Sequence, residues 1–338
     1  MGNNKYCIAL DWLEIILTGE ISILEDVKRD NSEFDLGNGI ILKHTNTMNH
    51  IGFRQSLLVF LDRESIGYLH YGNNLKMKFK SPKSNLLHIN NHILYQKDLP
   101  GKINRLQKGL GLNFSHFYRV DIAIDGMGLI SSFNHLMDSK TLSKKSAVKI
   151  HGDIDHKTKK HTRFTIGSRK SEKYISLYNK TLEIEDKGKW YIKEFWNENG
   201  LNENSIDRLE LRLNAKALKS FNPDFEYLLN PNYLAGYFKL NAGDWLEFIH
   251  VKNKKMKNFI DWSKFEKTEI IKLAKTTATN NLVSKKTTIK VLYEELMISK
   301  DESYLKCINI LCAKYQLENW AKSKVNRWNA SIPMLFQN

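Results

Sequence analysis

Short apolar runs broken by Gly, Asn and Asp dominate the first hundred residues, as in YCIALDWLEIIL, SLLVFLD, IGYLHY and NLKMKF. This punctuation predicts a β-rich segment over residues 5–100. Asp98, Pro100 and the basic positions Lys102, Arg105 and Lys108 then predict a short helix ending near Gly109 or Gly111. FYRVDIAID, residues 117–125, alternates cleanly and reads as a strand. LISSFNHLMDSKTLSKKSAV follows as an amphipathic helix with Leu129, Phe133, Leu136 and Met137 as its apolar positions. Two strands flank a turn in RFTIGSRKSEKYISLYNK, and DRLELRLN is one more. From His250 the pattern becomes Lys-rich and helical, through VKNKKMKNF, EIIKLAK, KVLYEELMI and YLKCINILCAKYQL. The expected organisation is an α+β fold, an antiparallel sheet with helices on one face over residues 1–248, followed by a basic helical domain over 249–338.

Alternation also sorts side chains onto faces. Arg119, Asp121, Ala123 and Asp125 share one face of the first strong strand, opposite Val120, Ile122 and Ile124. Tyr174, Ser176, Tyr178 and Lys180 are set against Ile175 and Leu177, and Arg208, Glu210, Arg212 and Asn214 against Leu209, Leu211 and Leu213. In one antiparallel sheet whose apolar face is covered by helices, the other face collects carboxylates, arginines and a tyrosine. Asp121, Asp125 and Glu210 are then candidate ligands for a hard divalent cation such as Mg2+ or Mn2+, which takes oxygen donors and keeps water. A solvated face laced with cross-strand Arg–carboxylate pairs gives the same pattern. Tyr178 is either a half-buried packing residue or a nucleophile; Lys180, two residues on, supplies the neighbouring positive charge that a nucleophilic phenol needs.

Composition narrows the partners. Among 338 residues, 52 Lys and Arg against 37 Asp and Glu leave a formal charge of +15, so polyanions are attractive surfaces, nucleic acid first among them. An AT-rich genome, which favours Lys and Asn codons, yields the same bias. Lysines outnumber acidic residues about three to one over residues 251–290, as solvated helix faces or DNA-contacting ones. No run approaches a membrane span, the N-terminus lacks the features of a secretory signal, and Lys5 and Tyr6 do not continue a myristoylation motif. Three cysteines without CxxC spacing exclude a disulfide framework or Cys-rich zinc site, and the expected location is cytoplasmic.

RVDIAID, then FTIGSRKSEKYISLYNK, then RLELRL, in that order, resemble the replication-initiation (Rep_trans) family of rolling-circle plasmid initiators and related mobile-element relaxases. IALDWLEI is similar to that family's opening strand, and the resemblance spans about residues 5–245, with GSRKS to LYNK its most specific part. It implies a nuclease core related to the HUH endonuclease fold and a site-specific nicking and strand-transfer activity on single-stranded DNA. By motif the catalytic tyrosine falls at Tyr178, and the acidic metal ligands at Asp121 or Asp125 and at Glu210. No His-hydrophobic-His triplet occurs, which argues against the ordinary HUH relaxases. His88, His92, His151, His156 and His161 are expected to be surface or phosphate-contacting residues.

The mechanism so implied has Tyr178 attack a phosphate at a single-stranded or hairpin nick site in origin DNA. A 5′-phosphotyrosine forms and a 3′-hydroxyl is freed to prime a host polymerase, with a host helicase opening the duplex. No GxxxxGK[ST] element marks a motor of the chain's own. Arg119, Arg208 and Arg212 are expected to contact DNA phosphates or to hold the acidic ligands, and Arg169 and Lys170, in the turn, to approach DNA. A homodimer is consistent with the resemblance. Three other readings stay open at this point: a mobilisation relaxase or phage-type initiator with the same chemistry, a non-enzymatic DNA-binding regulator, and a hydrolytic metal nuclease that leaves no adduct.

Overall fold

In the computed structural model the described residues are 5–20, 33–45, 53–73, 84–154, 157, 161–202, 204–221, 225–265, 289–294, 296, 305, 307–309, 311, 312, 317 and 321. Six strands come first: β1 (Tyr6–Thr18), β2 (Glu33–Asp35), β3 (Ile40–Thr45), β4 (Phe53–Leu61), β5 (Glu64–Asn73) and β6 (Ser84–Ile89). A 3-10 turn at Asn91–Tyr95 leads into helix α1 (Leu99–Leu110), which stops at Gly111, a left-handed residue with φ +66° that glycine adopts without a Cβ clash. Then follow β7 (Asn113–Gly126), α2 (Leu129–Asp138), β8 (Leu142–Lys144), β9 (Ile150–Ile154), β10 (His161–Ile166) and β11 (Lys173–Asn179). Helices α3 (Lys180–Lys187) and α4 (Trp190–Glu198) precede β12 (Asp207–Asn214); α5 (Ala215–Phe221), α6 (Phe225–Leu229), α7 (Pro231–Ala242), β13 (Glu247–His250) and β14 (Met256–Asn258) complete the series.

Eleven strands form one antiparallel sheet in the order β2-β3-β4-β5-β6-β1-β7-β12-β11-β10-β9, and β14-β13-β8 make a second, small sheet. The α+β class and the large antiparallel sheet agree with the sequence pattern. Val120, Ile122, Ile124, Ile175, Leu177, Leu209, Leu211 and Leu213 all lie in the main core, the face assigned to them by alternation. They pack there with Leu129, Phe133 and Leu136 of α2, Ile103 and Leu106 of α1, and Leu234 and Phe238 of α7.

Three expectations change. Helices sit on both faces: α3 and α4 bring Ile184, Ile192 and Trp196 down onto Cys7, which shares the polar face with Asp125 across the β1–β7 ladder. The helix begun at Leu129 ends at Asp138, because the following Leu142–Lys144 segment pairs with β13. VKNKKMKNF carries the turn and second strand of the β13–β14 hairpin rather than a helix, and Phe248 on β13 is buried.

The chain divides after Ile270 into units Met1–Ile270 and Ile271–Asn338, so residues 249–270 belong with the sheet-bearing unit. In the second unit Ile289, Tyr293, Leu296, Ile308, Cys312, Leu317 and Ala321 form a small core. The spacing of Ile289, Tyr293 and Leu296 is that of one helix face. EIIKLAK lies outside the described residues. No helix among the described residues is long and apolar enough to cross a membrane.

Candidate active site on the polar sheet face

Register fixes how the polar side chains meet. One cross-strand row runs Cys7, Asp125, Arg208, Tyr178, Arg163, Asp153; the next runs Ala9, Ala123, Glu210, Ser176, Thr165, His151; a third runs Trp12, Asp121, Arg212, Tyr174. Antiparallel pairing thus brings Tyr178, Lys180, Asp121, Asp125, Glu210, Arg208 and Arg212, scattered over just more than ninety residues, onto one surface.

Tyr178 ends β11 because the chain turns into a helix at once. Asn179 caps α3, its Oδ1 accepting from Leu182 N at 3.0 Å, which leaves Lys180 as the first helical residue, turned inward and buried. The Tyr-Asn-Lys sequence is therefore a strand end, a cap and an inward cation in succession. Tyr178 Oη donates to Glu210 Oε2 at 3.0 Å, and Lys180 Nζ donates to Tyr178 Oη at 3.4 Å and to Glu183 Oε2 at 2.8 Å.

Burial, and then the negative charge of Glu210, push the Tyr178 phenol well above its ordinary value. Burial, together with Asp11 and Asp121, pushes Glu210 up to about 7. Lys180 is pushed down by burial and by the Arg208 charge. Burial acts against Glu183 ionisation, yet hydrogen bonds from Lys180 and Lys187 hold it at about 2. A phenol that does not ionise by itself therefore stands hydrogen-bonded to a carboxylate poised to take its proton near neutral pH.

Arg208 and Asp125 play other parts than expected. Arg208 is fully buried, with Nε and NH2 donating to the two oxygens of Asp125 at 2.6 Å each, and NH1 to Asp11 Oδ1 at 2.5 Å. Trp196 Nε1 also donates to Asp125 Oδ2 at 2.7 Å. Arg208 thus holds acids beneath α4, and both oxygens of Asp125 are taken up by Arg208 and Trp196 rather than turned to the pocket. Arg119 binds both oxygens of Asp121 at 3.0 and 2.5 Å, and Arg212 adds Nε to Oδ2 at 3.4 Å. These two arginines hold an acid, and Arg212 also faces the pocket. Arg169 lies at the pocket wall, and Lys170 is exposed in the turn outside it.

That pocket, about 290 Å³, is lined by Arg163, Arg169, Tyr174, Ser176, Tyr178, Glu183, Lys187, Glu210 and Arg212. It offers a cation less than the expected trio, and among the described residues no three His, Cys, Asp or Glu side chains converge as ligands. A magnesium-type ion needs only one or two carboxylates when substrate phosphate and water fill its shell. Glu210 fits that smaller requirement: it faces the pocket, its Oε1 accepts no hydrogen bond among the described residues, and the nearby Asp11 and Asp121 charges make a cation welcome.

Alternation did not reveal Asp11, Glu183 or Arg163. Asp11 is the extra residue of a bulge between Leu10 and Trp12, which turns it toward Arg208 and Tyr95, whose OH donates to Asp11 Oδ1 at 2.7 Å. Burial opposes its ionisation, but Arg208 and Lys180 hold it well below the usual carboxylate range. Glu183 is one helical turn beyond the cap. Arg163 was legible in principle, since it falls opposite Tyr178 once the hairpin is registered.

No family model matches the chain, and no curated protein matches it. Among solved structures, the chain is similar to a rolling circle replication initiator protein from Geobacillus stearothermophilus, with 11% identity, a TM-score of 0.43, and coverage of 76% of this chain and 94% of that one.

Proposed function

We propose that this protein is a site-specific single-strand DNA endonuclease that joins itself to the cut strand through Tyr178, as a rolling-circle replication initiator does. The carrying observation is the hydrogen bond from Tyr178 Oη to Glu210, 3.0 Å long, in a pocket walled by Arg163, Arg169, Lys187 and Arg212. Phosphodiester oxygens suit those four cations. As a strand phosphate enters, Glu210 takes the phenol proton and Lys180 stabilises the developing phenolate. The Tyr178 oxygen forms its bond to phosphorus, the bond from phosphorus to the 3′ oxygen breaks, and that oxygen takes up a proton from water to leave as a 3′-hydroxyl. Glu210, through Oε1, would hold a magnesium or manganese ion with substrate phosphate and water filling its shell, and the chemistry of that ion is to neutralise charge on the non-bridging oxygens. Because the phosphotyrosine keeps the energy of the broken ester, the freed 3′-hydroxyl can later reverse the step and reseal a strand without ATP. In the meantime that hydroxyl is a primer end for a host polymerase at origin DNA.

The experiment is incubation of the protein with manganese and labelled single-stranded oligonucleotides tiling its own replicon, followed by a denaturing gel. We expect a covalent protein–DNA band with the wild type that falls at least ~100-fold in Tyr178→Phe, as loss of a nucleophile requires. Cleavage without an adduct would replace the reading by a water-activating nuclease, and DNA retention with neither would replace it by a binding protein.

A further inference from the structure

Four arginines stand on the polar face, and three are spent on aspartates: Arg119 and Arg212 on Asp121, Arg208 on Asp11 and Asp125. Arg163 is different. Among the described residues it makes no ion pair, although Asp153 is its cross-strand neighbour on β9. Its Nε is buried without a hydrogen-bond partner, and NH2 reaches Ser176 Oγ only at 3.5 Å. The guanidinium carbon stands 5.8 Å from the centre of the Tyr178 ring, and the residue lines the same pocket as Tyr178, Glu210, Arg169 and Lys187.

A desolvated guanidinium N–H without an acceptor is a cost that folding alone does not recover. The two carboxylates of the pocket do not serve it: Glu183 is held by Lys180 and Lys187, and Glu210 by Tyr178. No acceptor for it stands among the described residues, and the planar fork of arginine matches two oxygens of one tetrahedral anion entering the pocket. Arg169 and Lys187 on the pocket wall add charge of the same sign.

We propose that Arg163 binds the non-bridging oxygens of the scissile phosphodiester and so sets its phosphorus before Tyr178 Oη, a catalytic residue on β10. The assignment rests on the reading of Tyr178 as nucleophile, and it concerns the phosphate itself rather than the flanking DNA.

The test compares wild type, Arg163→Gln and Arg163→Lys on the oligonucleotide that gives the adduct, made with a natural linkage or with a neutral methylphosphonate at the scissile position. Adduct rate, binding by fluorescence anisotropy and thermal melting are read for each. On the natural linkage Arg163→Gln should slow the adduct by about 100-fold or more, the usual effect of removing one stabiliser of transition-state charge, with Arg163→Lys recovering part of it. Overall affinity should change less than about 3-fold, as expected of an interaction strongest in the transition state. On the methylphosphonate the defect should shrink to a few-fold, since the charge that Arg163 meets is gone. An equal defect on both linkages, or none on either, overturns the proposal. A binding arm needs no nicking: wild type should favour a natural thymidine oligonucleotide over one with methylphosphonate linkages more strongly than Arg163→Gln does. If that difference appears while Tyr178 forms no adduct, the nucleophile reading fails and the phosphate site stands. If the adduct forms and Arg163→Gln keeps the full preference, Arg163 is not the phosphate ligand.

Discussion

Arg208 and Arg163 flank Tyr178 in a single cross-strand row, and their partners decide what each does. Arg208, locked between Asp11 and Asp125, is structural: deleting it would leave two acids buried without compensation. Arg163, with its Nε unsatisfied, is available to a ligand. Glu210 shows the same dependence on surroundings. Its folded-state value of about 7 lies above the ordinary 4.5, so the folded protein favours the protonated acid. The stability this provides is complete below about pH 4.5 and is lost as pH rises through about 7. Glu210→Gln should therefore match wild type near pH 4 and exceed it above pH 7 by roughly 2–3 kcal/mol, read as melting temperature against pH. In the wild type the adduct rate should climb through about pH 7 as Glu210 becomes a competent base, and this limb should vanish in the variant. A stability gap that is the same at pH 4 and pH 8 would show that Glu210 titrates as an ordinary carboxylate.

At the level of elements, period-two alternation made β7, β11 and β12 readable together with their faces, because a strand buried on one side must alternate. Alternation failed wherever pairing departs from a regular ladder. The β1 bulge puts Trp12 on the polar face beside Asp11, and the segment after α2 leaves the helical pattern to pair with β13. Asn179 as a cap explains why a strand tyrosine is followed directly by an inward lysine. Strand β5 carries a prediction of its own. A Cβ on Gly67 would stand 1.9 Å from the backbone oxygen of His88 on β6, which cannot swing aside as a side chain would. Gly67→Ala should force β5 and β6 apart and cost about 3 kcal/mol, seen as a lower denaturation midpoint. A midpoint within error of wild type would mean that the two strands can separate at little cost.

Over the whole molecule the charge of +15 makes binding to a polyanion depend on salt, whichever residues do the chemistry. Arg163, Arg169, Lys187 and Arg212 together line the pocket. If these four neutralise strand phosphates, log affinity should fall with log salt at a slope of about −3, or about 50-fold between 50 and 200 mM. Anisotropy titrations at four salt concentrations measure it, and a slope near zero would place the strand away from this wall. The chain divides after Ile270, later than the change in composition near residue 249 suggests, because Phe248, Phe259 and Ile260 are drawn into the core of the first unit. A rise in lysine density marks a surface, whereas a domain ends where apolar contacts end.

Sequence alone determined that β7, β11 and β12 are strands, which of their faces is apolar, and that Tyr178, Lys180, Asp121, Glu210 and Arg212 fall on the polar one. All of this follows from local periodicity and charge, which need no knowledge of what lies across the fold. Tertiary structure decided the pairings: that Asp125 and Arg208 neutralise each other under Trp196, that Glu210 accepts from Tyr178, and that Arg163 stands beside the phenol with no ion pair among the described residues. A side chain's ionisation and role depend on its desolvation and on the charges within a few ångströms, and those neighbours come from strands up to about two hundred positions away, as with Arg208 and Asp11.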